Sequence, residues 1–238
     1  MTRLSVNINK VALLRNSRGG SLPNLRQFAI DCQSYGAQGI TVHPRPDQRH
    51  IRYDDLYVLK EVVTTEFNIE GYPSEDFLKI VCEIKPHQCT LVPDPPGVLT
   101  STSGWNTLKH GDFLCDVVAQ LQEAGIRTSI FMDANLSMIE GLTTTHVDRI
   151  ELYTGDYAVE CQDGRADEIL KNHIAASRLA RELRIGVNAG HDLNLQNLAL
   201  YRSAIQNLEE VSIGHALISD SLYFGIQNAI GLYRKCLK

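Results

Sequence analysis

A chain of 238 residues with 43% hydrophobic and 21% charged residues is long and apolar enough to bury a substantial core. Its formal net charge of −5 argues against general affinity for nucleic acid, so any basic cluster is expected to serve a small anion. No apolar run approaches the roughly 18 residues that a membrane span needs, and the first residues show no signal-peptide pattern. The six cysteines lack CxxC spacing, which is typical of reduced thiols. We therefore predict a cytoplasmic α/β protein forming a single domain over residues 1–238.

Short apolar runs bounded by turn residues predict eight strands along the chain. They cover residues 4–8, 40–42, 67–70, 89–92, 128–132, 150–153, 185–188 and 211–213. Helical spacing of apolar residues predicts a helix after each strand. These helices lie at 24–36, from 54 onward, at 74–84, 113–121, around 139–142, at 170–183, 195–205 and 219–235. The segments 10–20, 94–111 and 155–165 are interpreted as loops because they are basic, proline-rich or polar.

Strict alternation of strand and helix predicts a parallel sheet with right-handed crossovers. Eight such units close into a (β/α)8 TIM barrel, here a single domain with extra short helices. An open doubly wound sheet is the alternative. That fold predicts a glycine-rich GxGxxG turn after the first strand, and the sequence has none.

In a TIM barrel the C-terminal ends of the strands form one face, where active sites are built. Candidate site residues lie at or after the ends of many of the predicted strands, and they are Asn7, Asn9, His43, Arg45, Glu70, Thr100, Glu151, Asn188, His191, Gly214 and His215. Three histidines and an acid from separate strands favour an enzyme that moves protons. The plainer interpretation is that Glu70 is a solvated strand-end acid and His191 a turn histidine.

The segment 39–50 combines a buried strand with a rigid, cationic turn. His43 ends the strand, and Pro44 with Pro46 prevents its continuation, since proline lacks a backbone donor. Arg45, Arg49 and His50 lie in this turn. The pattern indicates one wall of an anion site, and a capped strand followed by a solvated basic loop is the alternative.

Phosphate is a better ligand for this sequence than a metal ion. No HxH, HExxH or cysteine-rich spacing is present, so we predict no metal. Barrels often bind phosphate at glycine turns after the last two strands, where Gly190-His191 and Gly214-His215 lie. Arg18 and the neighbouring glycines could form a second anion cluster with Arg45 and His50. Two anion sites indicate two phosphorylated substrates or one bisphosphate.

Several motifs, in order along the chain, resemble one known family. They are Val6-Asn7-Ile8, Leu14-Arg15-Asn16-Ser17-Arg18-Gly19, Gly39-Ile40-Thr41-Val42-His43 with Arg45 and Arg49-His50-Ile51, Asn68-Ile69-Glu70, Lys85-Pro86-His87, Leu91-Val92-Pro93, Val187-Asn188-Ala189-Gly190-His191 and Ile213-Gly214-His215-Ala216. From about residue 4 to the C-terminus, the chain resembles the pyridoxine 5′-phosphate synthase family.

This resemblance implies a barrel enzyme that joins 3-amino-2-oxopropyl phosphate to 1-deoxy-D-xylulose 5-phosphate, releasing phosphate and water. It implies no metal or organic cofactor, and a homo-octamer. His43 and Glu70 would accept protons and His191 would donate one. The residues implied to hold the amino-ketone phosphate are Asn7, Arg18, Asp192, Gly214 and His215. Those implied to hold the deoxyxylulose phosphate are Arg45, His50 and Thr100.

The chain departs from the family pattern at two places. Asn9-Lys10 stands where an Asp-His pair is usual, so Asn9 is expected to bond a substrate hydroxyl and Lys10 to supply a cation. Asp192 replaces the glycine that usually follows His191. Two rival functions stay open at this point, namely a phosphosugar isomerase or aldolase-like barrel with one phosphate site, and a non-catalytic barrel that binds a phosphometabolite.

Overall fold

A computed structural model describes residues 1–94 and 103–238 and shows a closed barrel of eight parallel strands. The strands are β1 (Arg3–Asn7), β2 (Gly39–Val42), β3 (Glu66–Gly71), β4 (Gln88–Leu91), β5 (Arg127–Met132), β6 (Arg149–Tyr153), β7 (Gly186–His191) and β8 (Leu208–Ile213). Each strand pairs with the next, and β8 pairs with β1. The predicted (β/α)8 TIM barrel is confirmed, and closure rules out the open sheet.

Eleven helices lie within the described ranges. They are α1 (Asn9–Asn16), α2 (Leu25–Ser34), α3 (Tyr53–Val62), α4 (Glu75–Ile84), α5 (Thr107–Glu123), α6 (Leu136–Glu140), α7 (Gly155–Gln162), α8 (Ala166–Glu182), α9 (Leu198–Ala204), α10 (His215–Phe224) and α11 (Ile226–Cys236). None of the helices in the described ranges has the length and apolarity to cross a membrane.

The loop predictions for 10–20 and 155–165 were wrong where they overlap α1 and α7. Both helices are stabilised by packing of a few buried residues, Val11 and Ala12 in α1 and Tyr157 and Ala158 in α7. Such short, polar segments have weak helical signals of their own, because most helical stability in proteins comes from tertiary contacts.

Two other helix boundaries differ from the sequence prediction. The loop predicted for 94–111 ends early, since Asn106 Oδ1 accepts the Lys109 N–H at 3.0 Å and caps α5. The helix predicted for 219–235 is two helices, α10 and α11, separated at Gly225. The φ of Gly225 is +74°, a backbone conformation that favours glycine and ends a helix.

Alternate strand residues form polar layers inside the barrel, as the two-residue repeat of a strand requires. In the middle layer Ser5 Oγ lies 2.7 Å from Thr41 Oγ1, and Thr90 donates to Asn68 Oδ1 at 3.1 Å. The intervening residues, such as Leu4 and others of the core, are fully buried beneath the helices. The two-residue repeat therefore points every second side chain toward the barrel axis. Further polar layers lie at the N-terminal and C-terminal ends of the barrel.

The layer at the N-terminal end is a partly buried network of opposite charges. Glu66 pairs with Arg3 at 2.8 Å and with Arg127, while Arg149 pairs with Glu209 at 2.6 Å. Asn188, predicted at a strand end, is instead mid-strand in β7, where its Oδ1 accepts from Arg149 at 3.3 Å. The reason is that β7 continues to His191, so Asn188 lies three residues before the end of the strand, beside Arg149 rather than at the mouth.

Glu210 in this network is expected to make the stability of the protein depend on pH. Burial, together with the charge of Glu66, raises the pKa of Glu210 from its ordinary value of 4.5 to about 8. The folded protein therefore holds a proton that the unfolded chain has released, so its free energy of unfolding falls as pH rises from 4.5 to 8. Glu210→Gln should remove this slope and stabilise the protein at pH above 8 by about 1–3 kcal/mol.

Urea unfolding across that pH range tests this expectation. The matched control is Glu209→Gln, since Glu209 is a half-exposed neighbour whose replacement should leave the pH slope of wild type in place. If the free energy of unfolding of wild type and of Glu210→Gln changed with pH in the same way, Glu210 would not be the titrating group.

Candidate active site

The C-terminal ends of the strands surround a cavity of about 580 Å³. Its lining residues are Asn7, Asn9, Lys10, Leu13, His43, Arg45, Arg49, His50, Glu70, Val92, Phe131, Glu151, His191, Asp192, Ser212, Gly214 and His215. Of the predicted site residues that the structure describes, all line this cavity except Arg18 and Asn188. Arg18 is exposed in the turn after α1 and does not line it, and Thr100 lies outside the described residues.

His43 and Glu70 form the centre of the cavity. His43 Nδ1 lies 4.0 Å from Glu70 Oε2, and Asn7 Nδ2 lies 3.5 Å from the same oxygen. Burial raises the pKa of Glu70 to about 8, although the Arg45 charge opposes that rise. Burial, followed by the charge of Arg45, holds the pKa of His43 well below 6.5. At neutral pH a protonated carboxyl therefore faces a neutral imidazole, an arrangement suited to proton transfer.

The cationic turn after β2 forms one wall of the cavity. Arg45 is buried, and its Nη2 lies 3.4 Å from Asp94 Oδ2. Burial and the Arg45 charge lower the pKa of His50 to about 4, and its Nδ1 accepts the Ile51 N–H at 3.0 Å. His50 is therefore neutral at pH 7, and the fixed charge of this wall comes from Arg45 and the neighbouring Arg49.

Helix α1 holds this turn in place. Arg15 Nη1 pairs with Asp55 Oδ1 of α3 at 2.6 Å. Arg15 Nη2 and Asn16 Nδ2 both donate to the His50 carbonyl, at 3.2 and 2.7 Å. The basic segment that was predicted to be a loop is thus in large part a helix, and it supports the cationic wall of the cavity.

Asn9 contacts the backbone directly after β2 rather than projecting only into the cavity. Its Oδ1 accepts the His43 N–H at 2.9 Å, and its own N–H donates to Asn7 Oδ1 at 3.1 Å. Because this oxygen is engaged, Asn9 orients His43, a role that the sequence analysis did not predict. Lys10 is exposed at the rim of the cavity, where it can supply a cation.

His191 and Asp192 form a second pair of interacting side chains, at the end of β7. Asp192 Oδ2 lies 2.9 Å from His191 Nδ1, and this hydrogen bond is the main cause that lowers the pKa of Asp192. The φ of His191 is +91°, which costs a residue with a side chain about 1–3 kcal/mol. Strain of this kind needs support from the surrounding structure, and it commonly accompanies function.

The turn after β8 brings backbone close to β1. A Cβ on Gly214 would lie 3.1 Å from the Asn7 Cβ, which is tighter than side chains normally tolerate. His215, exposed, is the first residue of α10. The first N–H groups of a helix have no partner within it, so this turn can bind an anion.

Glu151 is a cavity residue to which the sequence analysis gave no role. It is buried, and burial with the nearby Glu70 charge raises its pKa well above 4.5. A side chain at Gly190 would collide with the Glu151 carboxyl, so the glycine provides its space. Glu151 was predicted as a strand-end residue, whereas Phe131 and Ser212 were missed, since neither residue type indicates this chemistry from sequence. The available signal for Glu151 was an acid at the end of a buried strand.

Among the described residues, no cluster of His, Cys, Asp and Glu side chains is arranged to hold a metal ion. The cavity instead combines fixed cations, a helix N-terminus and neutral proton donors and acceptors. This set fits phosphorylated substrates that undergo several proton transfers.

Solved structures with the same fold include phosphoribosyl anthranilate isomerase from Thermotoga maritima. It matches with a TM-score of 0.60 and 12% identity, over 100% of this chain and 98% of that chain. Tryptophan synthase from M. tuberculosis matches with a TM-score of 0.65 and 11% identity, over 100% of this chain and 94% of that chain. At these identities the likeness shows the barrel fold alone.

Sequence relatives are much closer. Pyridoxine 5′-phosphate synthase from Parabacteroides distasonis is 56% identical, over 100% of this chain and 99% of the relative. The protein of the same name from Cytophaga hutchinsonii is 52% identical over the whole of both chains. The family model described as pyridoxal phosphate biosynthesis protein PdxJ matches residues 4–238. The chain therefore belongs to the PdxJ family.

Proposed function

We propose that this enzyme condenses 3-amino-2-oxopropyl phosphate with 1-deoxy-D-xylulose 5-phosphate to form pyridoxine 5′-phosphate, releasing phosphate and water. The observation that carries the proposal is one cavity in which the His43–Glu70 pair lies between a cationic wall and a helix N-terminus. Membership of the PdxJ family and relatives named pyridoxine 5′-phosphate synthase support the same activity.

The two ends of the cavity suit the two phosphates. Arg45 and His50 are proposed to bind the deoxyxylulose phosphate, together with Thr100. The Gly214 turn, with the start of α10, is proposed to bind the amino-ketone phosphate through backbone N–H groups, with Asn7, Arg18 and His215. Asp192 would take part through its backbone, since its carboxylate is bonded to His191 and would repel a phosphate.

The reaction needs more proton transfers than one side chain can reach. The substrate amine attacks the ketone of the partner substrate, nitrogen loses protons, and water leaves carbon to give an imine. Phosphate elimination and ring closure then move further protons at neighbouring carbons. His43 and Glu70 are proposed to accept protons and His191 to donate one, from separate strands around the same intermediate. Because Glu70 is protonated at neutral pH, it gives its own proton to the intermediate before it accepts another.

We also propose that the enzyme works without a metal or organic cofactor, assembles as a homo-octamer and acts in the cytoplasm. The described cysteines form no disulfide, which suits a reducing compartment. Light scattering of the purified protein measures the assembly directly.

Complementation tests the proposed function in cells. A bacterial strain that lacks its own pyridoxine 5′-phosphate synthase should grow without added pyridoxine when it carries this gene. A phosphosugar isomerase or a non-catalytic binding protein would not restore growth, although the protein accumulates. An isomerase would instead convert 1-deoxy-D-xylulose 5-phosphate when that substrate is supplied alone.

A further inference from the structure

We propose that Asn197 is a positioning residue that holds the His191–Asp192 pair through the backbone of the turn between β7 and α9. The proposal rests on the proposed function, in which His191 donates a proton. It adds a residue that lies outside the cavity lining and that the sequence motifs did not indicate.

The pair needs external support. His191 has a φ of +91°, so the turn stores strain that would be released by local rearrangement. Its ring is aligned by the 2.9 Å contact between Nδ1 and Asp192 Oδ2. A hydrogen bond from Nδ1–H to a carboxylate fixes which ring nitrogen is engaged, so Nε2 is the nitrogen from which His191 would donate its proton. Movement of the Asp192 backbone by about 1 Å would disturb both the ring orientation and this choice of nitrogen.

Asn197 ties the two ends of this turn together. Its Nδ2 donates to the Asp192 carbonyl at 3.2 Å, and its Oδ1 accepts the Asn194 N–H at 2.8 Å. The residue is only 2% exposed, so water does not compete well for these bonds. One amide side chain thus fixes the backbone on both sides of Leu193, directly after the His191–Asp192 pair.

Asn197 is itself held by a buried aromatic cluster of Tyr157, Tyr201 and His173. The Tyr157 hydroxyl donates to the Asn197 carbonyl at 2.8 Å. The Tyr157 and Tyr201 rings lie 5.0 Å apart, and the Tyr201 hydroxyl lies 2.9 Å from His173 Nδ1. These three side chains come from α7, α9 and α8 and are buried, so they form a rigid base beneath the turn.

Asn197 is not one of the charged or titratable groups that surround the His191–Asp192 pair. His191 faces Asp192 on its own turn, the Glu151 carboxyl of β6 and the Tyr153 ring, whose centroid lies 5.4 Å away. His215 of α10 acts on Asp192 through its charge. Asn197→Ala changes none of these charges, so its effect must come from position.

The test compares Asn197→Ala with Asn207→Ala. Asn207 Nδ2 donates to the Ser177 carbonyl at 2.9 Å, outside the cavity lining, so this control loses a similar bond without touching the turn. Nitrogen-15 NMR of the histidine rings in the substrate-free protein reports the tautomer of His191. Steady-state kinetics gives kcat and KM, and urea unfolding gives the stability of each variant.

We expect Asn197→Ala to lose the Nδ1–H signature of His191 and to lower kcat at least about tenfold, with KM for both substrates within about threefold. Asn197→Asp keeps an acceptor for Asn194 but cannot donate to Asp192, so it should stay impaired. Asn207→Ala should keep the wild-type tautomer and kcat.

An unchanged His191 signature in Asn197→Ala, with kcat no lower than in Asn207→Ala, would overturn the proposal. If wild type forms no product, the proposed function fails, while the NMR comparison still decides whether Asn197 holds the pair.

Discussion

Replacing Glu70 with glutamine is expected to stop turnover while both substrates still bind nearly as well as in wild type. Burial raises the pKa of Glu70 to about 8, so the native side chain is largely protonated at pH 7. Glutamine has the same shape and is also neutral, so binding contacts survive. It cannot exchange a proton with the intermediate, and general acid–base catalysis typically contributes about 10²–10⁴ in rate.

The measurement is kcat for pyridoxine 5′-phosphate formation, together with calorimetric binding of each substrate alone. Glu61→Gln is the matched control, since Glu61 is exposed on α3 and should keep wild-type kinetics. Near-normal product formation by Glu70→Gln would remove Glu70 from the mechanism. Loss of binding in that variant would show that the carboxyl is a ligand instead.

Arg45→Met is expected to raise KM for 1-deoxy-D-xylulose 5-phosphate by about 10², and to affect the amino-ketone phosphate much less. Arg45 is a buried cation in the wall assigned to that phosphate, where two charge-assisted hydrogen bonds contribute about 1.5–3 kcal/mol each. Its charge also lowers the pKa values of Glu70 and His43. The pH profile of the variant should therefore shift toward higher pH.

Kinetics with each substrate varied in turn, at several pH values, tests this prediction. Arg45→Lys keeps the charge without the planar fork and should give an intermediate KM. Arg26→Met, on the exposed surface of α2, is the control for loss of an arginine. An equal rise in KM for both substrates would contradict the assignment of Arg45 to one phosphate.

The barrel and its mouth could be predicted from sequence because both follow local rules. Two-residue and 3.6-residue periods fix strands and helices, and parallel closure brings strand ends such as His43 and Glu70 together. Helices α1 and α7 could not be predicted in this way. Their few buried residues gain stability from contacts with distant segments, and Arg15 is an example, since it bonds Asp55 of α3.

Most of the residues predicted to line the cavity do line it. Their roles, however, depend on interatomic distances, which cannot be read from a sequence. That Asn9 orients His43 follows from one 2.9 Å bond between the first residue of α1 and the residue after β2. The raised pKa of Glu70 follows from burial, and the strain at His191 from how its turn is held. Asn188 was misplaced because the end of β7 was set three residues too early. The predicted contacts of Arg18 and Thr100 stay predictions.

The most direct test of the whole account is a single progress curve with purified protein, a metal chelator and both phosphorylated substrates. Pyridine absorbance and released phosphate are followed together, and each substrate is omitted in turn. The account predicts that pyridoxine 5′-phosphate and inorganic phosphate appear in equal amounts, and only when both substrates are present. No pyridine product, or conversion of one substrate in the absence of the other, would contradict it.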